Sequence, residues 1–273
     1  MKRKQIAVVG EFDNIRSHHL RFLEEASKLG DVTVLLASDT AIQARTGSAP
    51  KFPLVERKYF LEAVRHISRV IPIETTTQAD VLPTVDGFQP DMWADEESSE
   101  NGARLTFCTR NGLEYKVLTD AELKGFPQST PPSGSSGHKK VVVTGCYDWF
   151  HSGHVRFFEE VAAYGDLYVI VGHDANIRSL KGEGHPLLPQ DERRYMAGSI
   201  RYVTQALVSS GDGWLDADPE IQRLKPNIYA VNEDGDKGGK REYCIQRGIE
   251  YLVLKRTPAP GLPKRSSTDL RGF

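Results

Sequence analysis

The stretch Lys140-Val141-Val142-Val143-Thr144-Gly145-Cys146-Tyr147-Asp148-Trp149-Phe150-His151-Ser152-Gly153-His154 runs from an apolar, β-branched segment through a glycine turn into the start of a helix. Residues 140–144 are apolar on both faces, which predicts a strand buried in a parallel sheet. Val155, Phe158, Val161 and Ala162 fall at core-facing spacing and predict a helix over 154–164. Further along, strands are predicted over 167–172, 205–208, 228–231 and 250–254, and helices over 190–200, 218–224 and 240–248. Strands alternating with helices imply an α/β fold, a Rossmann-like doubly wound parallel sheet. Ligands of such sheets sit beyond the carboxyl ends of the strands, where 145–154, 172–174 and 232–237 all fall.

The chain carries this pattern twice. Gly10-Glu11-Phe12-Asp13-Asn14-Ile15-Arg16-Ser17-His18-His19 follows a strand at 6–9, and aligning Gly10 with Gly145 places Asp13 over Asp148 and Arg21-Phe22 over Arg156-Phe157. After one extra residue in the second copy, Glu56-Arg57-Lys58-Tyr59 lies over Glu192-Arg193-Arg194-Tyr195, Arg65 over Arg201 and Cys108 over Cys244. A repeat of this length is a duplicated domain. The Pro-, Ser- and Gly-rich run at 127–138 reads as a flexible linker, giving domains at 1–126 and 139–273.

Composition excludes several classes. A formal net charge of −2 over 273 residues gives no broad footprint for nucleic acid or an anionic membrane. No apolar run approaches the ~20 residues of a membrane span, and the basic start leads straight into a strand, so a cytoplasmic protein is expected. The cysteines Cys108, Cys146 and Cys244 form neither a disulfide framework nor a zinc pattern, and the repeat-matched pair favours a core role.

His151 and His154 flank a helix start, where unpaired N–H groups and the helix dipole favour phosphate, and they are expected to add positive charge. Gly153 between them is expected to let phosphate approach the backbone. Lys181 reads as part of a glycine-bearing loop able to close over a ligand. Asp148 reads first as a turn-former and second as a metal or substrate contact. His173 and Asp174 follow a strand end on the acceptor side. Asn232 and Asp234 lie in a turn able to take a base or ribose, and Arg201 is placed on a helix as part of the interface or the site wall, with a structural role as the alternative because Arg65 matches it. Ser266, Ser267 and Thr268 begin a predicted short helix at 266–270.

The run from Gly145 to His154 resembles the HxGH signature of the cytidylyltransferase family within the nucleotidyltransferases. Lys181-Gly182 sits where that family keeps a lysine for the triphosphate. Glu192-Arg193-Arg194-Tyr195 with Ile200-Arg201-Tyr202-Val203 resembles its ERY…RYV stretch, and Arg256-Thr257 with Ser266-Ser267-Thr268 resembles its RTxGxSTT signature. Here residues 258–265 intervene, which leaves Arg256 and Arg265 as alternatives for the signature arginine.

The resemblance implies attack by a substrate phosphate on the α-phosphorus of a nucleoside triphosphate, with release of pyrophosphate. His151, His154 and Lys181 take the catalytic places. Gly145, Tyr147, Gly153, Arg201, Asn232, Asp234, Arg256, Ser266, Ser267 and Thr268 take the nucleotide, and Asp148, His173 and Asp174 the acceptor. Mg²⁺ is expected to be held by the triphosphate, with no protein metal site. The leading expectation is CMP transfer from CTP to a small phosphorylated alcohol, of the phosphoethanolamine or glycerol 3-phosphate type. Its alternatives are ATP with a sugar phosphate, pantetheine phosphate or flavin, and an inactive nucleotide-binding regulator.

The first copy has Arg16 for the first histidine, His18 for the glycine, Thr46 over Lys181 and Asp120 over Arg256. It is expected to keep the fold without catalysing, as one half of an intramolecular pseudo-dimer.

Overall fold

The computed structural model describes residues 3–74, 80–128, 136–267 and 270. The chain forms two compact units, Met1–Gly125 and Phe126–Phe273. The first contains β1 (Gln5–Gly10), α1 (Ser17–Leu29), β2 (Asp31–Ala37), α2 (Asp39–Thr46), α3 (Leu54–Glu62), β3 (Arg69–Ile73), β4 (Met92–Glu96), α4 (Gly102–Arg110) and β5 (Glu114–Leu118). The second contains β6 (Lys140–Gly145), α5 (Ser152–Ala162), β7 (Asp166–Val171), α6 (Asp174–Lys181), α7 (Gln190–Gly198), β8 (Val203–Val208), α8 (Asp218–Leu224), β9 (Ile228–Asn232), α9 (Lys240–Arg247) and β10 (Glu250–Leu254). The strand orders, β3-β2-β1-β4-β5 and β10-β9-β6-β7-β8, describe one topology twice, and every pairing is parallel. In each sheet the order reverses beside the first strand, so the crevice opens between β1 and β4 and between β6 and β9.

The cores are equally matched. Val142, Ile170, Tyr229, Ile221 and Cys244 pack together in the second unit, as Ala7, Leu35, Trp93 and Cys108 do in the first. Both paired cysteines are fully buried, so they behave as small core hydrophobes. On the helix side, Val155, Phe158 and Val161 of α5 are buried completely. Each such side chain contributes roughly 1.5–3 kcal/mol.

Two polar devices recur in both units and set the loops around the crevice. Arg193 of α7 is fully buried, and its guanidinium donates to Leu188 O (2.9 Å), Cys146 O (2.6 Å), Gly172 O (2.7 Å) and Asp174 Oδ1 (2.7 Å). Arg57 does the same in the first unit through Phe52 O, Glu11 O, Ala37 O and Asp39 Oδ1. Asp148 accepts from the backbone N–H of Leu187 and Leu188, and Asp13 from that of Lys51 and Phe52.

Some elements differ from expectation. Residues 174–181 are helical, which puts Lys181 at a helix end instead of in a loop. Helix α7 ends at Gly198, so Arg201 lies in the turn before β8. That turn is at the amino-terminal edge of a parallel sheet, opposite the crevice, which removes Arg201 from the site wall. Ser266 is outside any helix and Ser267 lies in a turn; Thr268 and Asp269 fall outside the described residues, as do 129–135 of the linker.

The start of the linker belongs to the second unit. Arg194 donates to Phe126 O (2.8 Å) and Pro127 O (3.2 Å), and the Phe126 ring lies 5.6 Å from that of Tyr195. Lys58, at the matching place, pairs instead with Glu62 one turn along its helix. A fragment spanning 126–273 is therefore expected to be more stable than one spanning 139–273 by about 2 kcal/mol or more in urea titrations, since hydrogen bonds from a charged donor contribute roughly 1.5–3 kcal/mol. The Arg194→Ala change should abolish most of that difference; equal stability of the two fragments contradicts the latch.

Candidate active site

The turn from β6 to α5 is held by its own side chains. Tyr147 has φ +54°, and its ring folds back so far over Gly145 that a Cβ there would stand 2.8 Å from Cζ. Phe12, at φ +48°, covers Gly10 in the same way. This is why a glycine ends both strands. His151 is the N-cap of α5, and its Nδ1 accepts from Gly153 N at 3.0 Å. His154 folds back so that its Nδ1 accepts from His151 N at 3.3 Å. With Nδ1 an acceptor in both rings, the ring proton of the neutral form sits on Nε2.

The rings stack with centroids 4.0 Å apart, and His154 also lies 5.2 Å from the rings of Phe150 and Tyr147. Burial, the neighbouring His151 and the charge of Arg256 hold His154 well below the ordinary histidine range. This corrects the expectation of added positive charge: His154 is a neutral N–H donor, and charge for phosphate comes from elsewhere. Gly153 also has a nearer reason than ligand approach. A Cβ at 153 would meet His151 Cε1 at 2.8 Å, so the glycine makes room for the capping ring. In the first unit His19 keeps the backbone bond, accepting from Arg16 N at 3.0 Å, and burial pulls it down to about 3. The second histidine's cap is thus a property of the fold.

The cations gather in the tail after β10. Lys255, Arg256, Lys264 and Arg265 line a cleft of about 380 Å³, open mouth included, whose other wall is the first turns of α5, with Ser152, Gly153 and Phe157. Arg256 forms an ion pair with Asp234 and donates to Arg265 O at 3.0 Å. It therefore fixes the tail while remaining in the cleft. Ser267 Oγ donates to Trp149 O at 3.2 Å, tying the tail to the β6–α5 turn, and Ser266 precedes it there. Asn232 closes the cleft from the end of β9. Lys181 is exposed at the end of α6, and its charge reaches the Cys146 thiol beside the turn.

The three residues expected on the acceptor side are engaged in the fold. Both Asp148 oxygens receive backbone N–H groups, and Asp174 is paired with Arg193. His173 caps α6 through Nδ1 on Asn176 N and donates from Nε2 to Gly211 O at 2.8 Å. These bonds shape the crevice. Sequence reasoning passed over Lys255 and Lys264, although two basic pairs in a Pro-rich tail were visible. It also passed over the buried clamp of Arg193, which a motif does not reveal.

Because folded His154 resists a proton that the unfolded chain accepts near 6.5, the unfolded state binds more protons below that pH. Stability is expected to fall on acidification from pH 6.5 to 5, by up to about 1.4 kcal/mol per pH unit for each such ring. The slope should be shallower in His154→Gln, read by urea unfolding. An NMR titration of His154 with a midpoint near 6.5 contradicts the assignment.

Comparison with known proteins agrees with this geometry. The model of the cytidylyltransferase-like family matches residues 7–103 and again 142–272. FAD synthase of Methanocella paludicola is 33% identical over 135 residues, covering 48% of this chain and 93% of that protein. FAD synthase of Ferroglobus placidus is 35% identical, covering 43% and 75% respectively. Bifunctional protein HldE of Aliarcobacter butzleri is 32% identical over 38% of this chain and 21% of that protein. The FAD synthases overturn the expectation of CMP transfer from CTP to phosphoethanolamine or glycerol 3-phosphate, because the relatives matched over most of their length are named for a flavin adenine dinucleotide product. Two matches to one model, each inside its own compact unit, also account for the internal repeat: the chain belongs to the cytidylyltransferase-like family.

Proposed function

We propose that the second unit is an adenylyltransferase that joins AMP from ATP to the phosphate of FMN, forming FAD and pyrophosphate. The observation that carries this reading is the match, over 93% and 75% of their lengths, to proteins named FAD synthase. An FMN phosphate oxygen attacks the α-phosphorus of ATP. The bond from that phosphorus to the bridging oxygen breaks, and pyrophosphate leaves with the electron pair. Such a reaction needs positioning and charge stabilisation instead of a protein nucleophile. The Nε2–H groups of His151 and of the neutral His154 suit the α-phosphate region as donors, while Lys181 and the cleft cations, Arg256 among them, suit the β- and γ-phosphates. ATP enters as its Mg²⁺ complex; among the described residues no group of three or more His, Cys, Asp and Glu side chains is placed to hold a metal.

The first unit has the opposite electrostatics at the same place. Its crevice, about 410 Å³, is lined by Glu11, His19, Asp95 and Glu96. Burial together with Asp95 and Asp120 raises the Glu96 carboxyl, so three acids converge where the second unit has Asn232 and Arg256. A polyphosphate is repelled there, and this unit is read as non-catalytic.

The test is FAD formation by the full chain from Mg²⁺-ATP and FMN, followed by flavin chromatography. His154→Ala and Lys181→Ala should each lower turnover by about 10²–10³-fold, the scale of a lost transition-state donor. Arg16→Ala in the first unit should leave it unchanged. Absence of FAD despite measurable ATP binding rejects the flavin acceptor.

A further inference from the structure

Asn232 stands out among the residues of the cleft. Its Oδ1 is buried and has no hydrogen-bond partner among the described residues. In the same turn, Asp234 pairs with Arg256. A buried carbonyl oxygen left unpaired is costly, and a ligand that brings a donor recovers that cost. Position adds to this. Asn232 ends β9, the strand beside β6 at the reversal of strand order, so its amide stands at the crevice where doubly wound sheets take ligands.

Resting on the adenylyltransferase reading, we infer that Asn232 Oδ1 accepts a hydrogen bond from the 6-amino group of adenine and so makes the second unit selective for ATP. The phosphates of ATP and FMN carry no donor at neutral pH, which leaves the adenine amino group, the sugar hydroxyls and the flavin ring N–H. The cleft that Asn232 lines also has Phe157, Pro258, Ala259, Leu262 and Pro263 in its walls, whose hydrocarbon surfaces match the face of a purine better than a hydroxylated sugar. Cations in the same cleft leave the polyphosphate provided for. In the first unit the matching residue is Glu96, whose crevice has lost the basic partners as well.

The experiment measures equilibrium binding of Mg²⁺-ATP and of Mg²⁺-purine riboside 5′-triphosphate, which lacks the 6-amino group, to the full chain without FMN. The wild type should prefer ATP by roughly three- to tenfold, the scale of one neutral hydrogen bond. Asn232→Leu should bring the ratio to about one by weakening ATP alone, and Asn232→Ala serves the same purpose if the leucine variant misfolds. Asn232→Asp keeps the acceptor and should preserve the ratio while weakening both nucleotides. An unchanged ratio in Asn232→Leu overturns the inference, as does a collapse of selectivity against 2′-deoxy-ATP in its place. FAD formation is assayed in parallel. No FAD with selectivity intact rejects the flavin acceptor and leaves Asn232 assigned, whereas normal FAD formation with unchanged selectivity rejects Asn232 alone.

Discussion

The crevice of each unit depends on one buried guanidinium. Removing Arg193 from water is expensive unless every N–H finds an acceptor, and the acceptors it finds are the carbonyls of Cys146, Gly172 and Leu188 together with the carboxylate of Asp174. These belong to the turn before α5, the end of β7, the start of α6 and the approach to α7. A planar donor with fixed angles therefore sets the spacing of the loops that surround the ligand. Asp148 completes the frame from the other side by holding the backbone of Leu187 and Leu188.

This frame explains how a duplicated domain loses its chemistry and keeps its shape. Arg57 and Asp13 repeat the bonds of Arg193 and Asp148 almost atom for atom, and Phe12 repeats the folded-back ring of Tyr147. Outside that frame the copies diverge: Arg16 stands for His151, Thr46 for Lys181, Glu96 for Asn232 and Asp120 for Arg256. Packing and backbone satisfaction hold the first set in place in both units, while the second set changes with the charge of the crevice.

The parallel sheets and the duplication were legible because hydrophobic period and repeated motifs are local signals. So was the turn, since a glycine, an aromatic and a histidine cap follow one another directly in the chain. The bonds that Asp148, His173 and Asp174 make within the fold were not legible, because a sequence does not show which hydrogen bonds a polar side chain has already made. Arg201, expected on a helix, lies in the turn that follows α7, because that helix stops at Gly198. Base and acceptor were beyond reach, since HxGH chemistry is common to all of them.

The histidine caps carry a mechanical consequence. Each Nδ1 offers its lone pair to a backbone N–H at the start of α5, and an imidazolium has no lone pair to offer. A ring can hold the helix or carry a full positive charge, and not both. Any event that drives a proton onto His151 or His154 therefore frays the first turn of α5, so that the charge state of the pair and the order of the helix beneath it are a single variable.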